Sequence, residues 1–392
     1  MPSRPARALT LPTVPISWRL PISVALLAVT AASLVMNAII ATPGSGPEPI
    51  DYTTFAPAGR EILTGNWVGV FEDPIIQAGP FELIFWGIPF LLGVQGVTGW
   101  IAFGIIVGSL FVVAIAWLVE RLLRPVTAWW SVPLALVVAT VAALSGMIAA
   151  AISAGHPAEI AIPLMWIVGA VLARRGAPFA AAAVLAATAG WELWGLLGVP
   201  VLLLAPRIDP RTVWRSALAG IGVLAILFGP FVLLGPFHMF SFAWPIRTNS
   251  LAHLLVPHEA TFPWPLRLTQ GVLAVGGGAV VAVLLRRQRD AIWLVPLVVC
   301  AVRLYTDPVL AMYYGVPPLM MVLIGAVFAI ARRSAIVFVA CLLMVNALID
   351  VPLNVVSMSI LVILVAVTTV VTVRRSRRGE VDSSFSSRPI TA

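Results

Sequence analysis

The sequence predicts an all-α polytopic transmembrane bundle of about twelve spans, 10–12 in all. Three observations predict it. Mean hydropathy is +1.03 and 60% of the 392 residues are hydrophobic, more apolar surface than a water-soluble domain of this size can hide. Uniformly apolar runs of bilayer length recur along the chain. The Arg residues gather in the gaps between them. Backbone polar groups in hydrocarbon must be satisfied within the segment, so such runs become helices. A β-barrel would instead show alternating ten-residue strands.

The net charge of +8 comes from 24 Arg and no Lys. Placed between apolar runs, these cations serve topology and anionic lipid heads, so nucleic acid is not an expected partner. Cys300 and Cys341 both lie inside apolar runs and read as small core residues, not as ligands or a disulfide.

Residues 1–18 are rich in Pro and Arg and read as a disordered tail. The transmembrane domain is expected over 19–373. Its first apolar run, 20–42, is too long for a signal-peptide core and is kept as an anchor. A first outer loop, 43–97, opens with "TPGSGPEP". Within it, "PFELIFWGIPFLLG" (80–93) suits the interface, where Trp and Phe sit well, leaving one crossing near 98–119. Later runs centre near 138, 165, 184, 199, 224, 275, 297, 321, 342 and 363. A second large outer loop spans 236–265. From Arg374 the chain is basic, then Ser-rich, and reads as a second disordered tail.

With twelve crossings and both termini cytoplasmic, 20 of the 24 Arg fall on the cytoplasmic side. Only Arg60, Arg247, Arg267 and Arg303 fall outside. The reverse orientation inverts the bias. All four His and most acids then lie at the outer face, which is where chemistry is expected.

Several stretches there carry it. Phe55, Gly59, Ile62 and Leu63 share one face of a short amphipathic helix over 55–64, with Arg60 and Glu61 opposite, Thr54 as cap and Gly65 as terminator. Asp51 stands just before it, as a functional acid or a helix cap. In "HMFSFAWPIRTNSLAHLLVPHEATFPWPLR" (238–267), Arg247, His253, His258 and Arg267 alternate with Trp244, Phe262 and Trp264. Cations among interfacial rings suit a lipid-linked phosphate, or form an ordinary aromatic belt. Arg303 and Asp307 are four apart and pair if their helix continues. "SAGHPAE" (153–159) and "GWELWG" (190–195) put His156, Glu159 and Glu192 at outer helix ends, as site residues or caps. Glu72–Asp73 reads as loop solvation or as a metal-binding pair, and no metal is required. There is no Walker loop, CxxC, HExxH or GxSxG.

This pattern resembles the GT-C superfamily of membrane glycosyltransferases, nearest to actinobacterial enzymes that take mannose from polyprenyl-phosphate-mannose. Those proteins place an Asp at the start of the first outer loop, then an aromatic, a Gly and an interfacial segment. Asp51, Tyr52, Phe55, Gly65 and Trp67 stand in those places. "GHPAE" looks like the Gly-Gln turn found after the third span. "RLYTDPVLAMYYGVP" (303–317), with Tyr313, looks like a late outer motif. Where the family often has Lys near its fifth and sixth spans, this chain has Glu192.

The resemblance implies transfer of a sugar, mannose favoured, from a polyprenyl-phosphate donor to an extracytoplasmic lipid or glycan acceptor at the cell membrane. Asp51 would be the general base, with inversion at the anomeric carbon. Arg247, His253, His258, Arg267 and Arg303 would be candidates for the phosphate. Arg60, Glu61, His156, Glu192, Asp307 and Tyr313 would complete the substrate site. No cofactor is implied beyond the donor itself, and the expected partners are membrane lipids. Two alternatives are a transporter or flippase of a lipid or small solute, which inverted repeats would favour, and a non-catalytic membrane protein.

Overall fold

The computed structural model describes residues 16–41, 51–127, 130–349 and 353–377. The expected tails largely lie outside the described residues, as does "TPGSGPEP". At each end the helix runs a few residues further than expected: α1 spans Ile16–Ala41 and α15 spans Val355–Arg377.

The chain is an all-α bundle. After α1 come α2 (Tyr52–Leu63), α3 (Pro80–Leu91), α4 (Gly96–Thr127), α5 (Ser131–Leu144), α6 (Met147–Ala154), α7 (Ala158–Arg174) and α8 (Pro178–Ala187). Then follow α9 (Pro210–Leu234), α10 (Leu251–Leu255), α11 (Trp264–Leu284), α12 (Ala291–Thr306), α13 (Val316–Ala331), α14 (Ala335–Ile349) and α15. A hairpin of two-residue strands in the loop between α9 and α11 pairs Trp244–Pro245 with Thr261–Phe262.

Among the described residues, five helices are long and apolar enough to cross a membrane: α4, α9, α11, Met312–Ala331 and α15. A sixth counts α5 and α6 as one span bent by 50°. This is the architecture of a multi-pass membrane protein. α1 runs 26 residues, but the other apolar helices, of 10–17 residues, are shorter than the expected twelve spans require.

Burial separates inner from outer helices. Arg303 aside, the buried side chains of α12 are apolar and include Trp293, and those of α13 include Phe328 and Met321. On α9 the opposite holds: only Ser216 and Phe231 are buried, while Leu233 is 84% exposed. A helix presenting that much Leu, Ile and Val outward suits hydrocarbon, not water.

The run near 199 departs from expectation. It forms a twelve-residue 3-10 segment, Leu193–Leu204, where an α-helix was expected. Gly195, Gly198 and Pro200 lower its α propensity. The Trp166 indole N–H donates to the Gly195 carbonyl at 2.6 Å, and a Cβ on Gly198 would lie 2.2 Å from that nitrogen. Tight docking on α7 sets this backbone.

Residues 51–97 are packed structure. As expected, residues 81–120 hold one short helix, α3, and one long one, α4. α2 lies against α3 so closely that a Cβ on Gly59 would sit 1.9 Å from the Leu83 carbonyl oxygen. Phe55, Gly59 and Ile62 are buried as their spacing predicted, but Leu63 is 40% exposed. The helix also starts earlier, with Asp51 at the cap position in place of Thr54.

Candidate functional site

The Asp51 side chain does not cap its helix. Its backbone carbonyl accepts from the Thr54 and Phe55 amides, which leaves the carboxylate free to turn elsewhere. Asp51 Oδ2 meets His156 Nε2 at 2.7 Å. His156 Nδ1 meets Glu192 Oε1 at 3.0 Å. The result is a carboxylate–imidazole–carboxylate chain. Its Asp51 end is 37% exposed and its middle is nearly buried.

Local sequence builds this chain. Gly155 has φ +92°, the left-handed region that ends α6 and turns the backbone toward α7. A Cβ there would also lie 3.0 Å from the Asp51 Cβ. The Gly155 carbonyl accepts from the Trp86 indole at 2.9 Å, tying the turn to α3. Glu192 is positioned by the first loop: Ala78 bridges to it, and the Gly79 amide donates to the Trp191 carbonyl at 2.6 Å. Tyr313 stacks on the His156 ring at 4.4 Å, and Phe55 meets it edge-on.

One member was missed from sequence. Glu82, in the first turn of α3, is fully buried, and neither carboxylate oxygen has a hydrogen-bond partner. His156 Nδ1 lies 4.0 Å from Glu82 Oε1. The signal was legible: an acid inside "PFELIFWG" is an ionisable group in an apolar helix. Burial, then the neighbouring Glu192 charge, raises the Glu82 pKa well above its ordinary 4.5. Burial by itself would lower the His156 pKa; its hydrogen bonds to Asp51 and Glu192 and the charges of Glu192 and Glu82 outweigh that and raise it well above 6.5.

A second buried group adjoins the first. Arg303 reaches both Glu159 oxygens, NH1 to Oε2 at 3.3 Å and NH2 to Oε1 at 3.2 Å. The expected Arg303–Asp307 pair does not form as a helical i, i+4 contact, because α12 ends at Thr306 and Asp307 is extended. Asp307 instead takes Arg267 at 3.1 Å. Arg303 lies 3.9 Å from the Trp194 ring centroid and 4.9 Å from that of Tyr314. Tyr314 touches Tyr313, so ring contacts run from Arg303 to His156.

The structure therefore gathers Asp51, His156, Glu192 and Tyr313, with Arg303 one ring further out. Arg267 sits over Trp244 at 4.2 Å, the cation–aromatic pairing expected of the second outer loop. Asp51 meets the turn at 155–156, and Glu192 is joined to it only through the His156 ring. Arg247 and His258 are exposed and His253 is half-buried, and no side-chain contact of theirs joins the cluster. Arg60 stands over Phe90 at 5.4 Å, and Glu61 is half-buried on the same helix. Glu72 and Asp73 belong to loop structure, Asp73 Oδ1 accepting from the Ile75 amide at 2.9 Å.

Chemically, the arrangement can accept a proton at Asp51 and hold charge behind it. Glu82, His156 and Glu192 also offer three ligand atoms within 4.8 Å of one another. No family model matches the chain, and no curated protein does.

Proposed function

We propose that the chain is a GT-C-type membrane glycosyltransferase that moves a sugar, mannose favoured, from a polyprenyl-phosphate donor to an extracytoplasmic lipid or glycan acceptor. One observation carries the reading: the Asp51 carboxylate, at the open end of the chain through His156 to Glu192, is aimed by hydrogen bonding and spared from helix capping. Displacing a polyprenyl phosphate needs a base on the acceptor hydroxyl, and a carboxylate held by a histidine is suited to it. It also needs positive charge toward the leaving phosphate. Arg303, linked to the His156 ring through Tyr314 and Tyr313, and Arg267 over Trp244 are the candidates, each among aromatic rings that suit a sugar and an isoprenoid chain.

In this reading the bundle makes twelve crossings, with both termini cytoplasmic and the cluster extracytoplasmic, in accord with the 20-to-4 split of Arg. The shorter helices cross as bent or thinned spans.

The test is Asp51→Asn, assayed for transfer from polyprenyl-phosphate-sugars to membrane lipid acceptors. Asn keeps the size of Asp but takes no proton at neutral pH. A loss of about 10²–10⁴-fold, with normal membrane insertion, is expected. Near-parental transfer by the variant would remove Asp51 as base. A parent chain that transfers sugar from no polyprenyl donor would remove the reading itself.

A further inference from the structure

We infer that Glu82, His156 and Glu192 form a binding site for one divalent first-row cation, Zn²⁺ or Mn²⁺, with Asp51 as outer partner of the ligating histidine. The inference does not depend on glycosyl transfer.

Four observations support it. The three ligand atoms lie within 4.8 Å of one another, and His156 Nδ1 is 3.0 Å from Glu192 and 4.0 Å from Glu82. A cation among atoms so spaced sits about 2–2.5 Å from each, the range of metal bonds to imidazole and carboxylate. Glu82 is fully buried and neither carboxyl oxygen meets a hydrogen-bond partner, so the group is left aimed at His156 and Glu192 with its ligand capacity unused.

The third observation is the other side of the ring. A metal on Nδ1 leaves Nε2–H as donor, and the group 2.7 Å from Nε2 is Asp51 Oδ2. Metal-bound histidines commonly give their second N–H to a carboxylate, which sets tautomer and ring orientation. The stacked Tyr313 ring restrains the same imidazole from its face. Fourth is charge. The nearby Glu159 is already matched by Arg303, so the carboxylates of Asp51, Glu82 and Glu192 converge on a single imidazole. One imidazole with two carboxylates is a mixed nitrogen and oxygen donor set, which suits Zn²⁺ or Mn²⁺ better than Ca²⁺ or Mg²⁺. Three protein ligands leave a coordination position for water or a substrate oxygen.

The experiment uses the full chain in detergent, stripped with EDTA and desalted. Zn²⁺, Mn²⁺, Mg²⁺ and Ca²⁺ are titrated separately by calorimetry, with bound metal counted by mass spectrometry and no sugar donor present. One Zn²⁺ or Mn²⁺ per chain is expected. Glu82→Gln and Glu192→Gln should each weaken it by about 100-fold or more, and Asp51→Asn by about 10–100-fold. Glu259→Gln, on an exposed loop, should bind as the parent does. Using two conservative ligand variants keeps the test decisive if one of them misfolds. Absence of stoichiometric binding by either cation, or parental affinity in the ligand variants, overturns the inference. A chain that binds the ion yet transfers no sugar keeps this site and loses the transfer reading. The converse result does the opposite.

Discussion

Glu159→Gln isolates the energetics of the buried ion pair. Glu159 is fully buried and Arg303 nearly so, and the two share two hydrogen bonds of 3.2 and 3.3 Å. Removing one charge of such a pair strands the other, which typically costs about 3–5 kcal/mol. Gln keeps one acceptor oxygen, which returns about 1 kcal/mol, so the expected loss is about 2–4 kcal/mol. Stacking of Arg303 over Trp194 survives the change and does not enter the difference. Reversible unfolding in mixed detergent micelles, followed by tryptophan fluorescence, measures it. Glu159→Leu combined with Arg303→Met should recover most of the loss, because an apolar replacement of both partners removes the stranded charge. A loss under about 1 kcal/mol in Glu159→Gln would refute the reasoning and mean that water reaches Arg303.

Gly155→Ala should cut transfer strongly while the bundle persists, since φ +92° and the Asp51 Cβ both exclude a methyl there; unchanged transfer would separate this turn from the site. Asp209 caps α9 by accepting from the Thr212 amide at 2.7 Å and its hydroxyl at 3.0 Å, which holds its pKa below the ordinary 3.8. Its stabilising contribution is therefore complete above about pH 3.8 and lost as pH falls through the lower folded value. Thermal midpoints of Asp209→Asn should lack this part of the acid slope, and an unaltered slope would count against it. A single cysteine at exposed Arg287, in a chain without Cys300 and Cys341, should react with a membrane-impermeant maleimide only from the cytoplasmic side. Labelling from outside would reverse the proposed orientation.

The bundle was legible because hydropathy is a sum over many residues, and the apolar runs of α4, α9 and α11 survive any local error. Asp51, His156 and Glu192 were legible as rare ionisable groups at helix ends. Their union was not, since it depends on a first loop folding back so that Ala78 bridges to Glu192. Glu82 was passed over because its helix was read for its Trp and Phe. Arg303 was given Asp307 as partner because i, i+4 spacing assumes a continuing helix, and α12 stops one residue short. The 3-10 segment was hidden because apolar composition speaks for burial and not for helix type.

The bridge between Ala78 and Glu192 has a consequence for biosynthesis. At about 5–20 residues per second, roughly 7–30 seconds separate the emergence of Asp51 from the ribosome and that of Glu192. His156 arrives between them. During that interval Glu82 stands on the short helix α3 without the His156 imidazole that faces it in the finished fold. The packing of α2 on α3 at Gly59 needs none of the later chain, whereas the clamp on Asp51 needs residues 155–192. A nascent chain truncated before residue 188 carries the acid of the first loop but not the clamp that positions it.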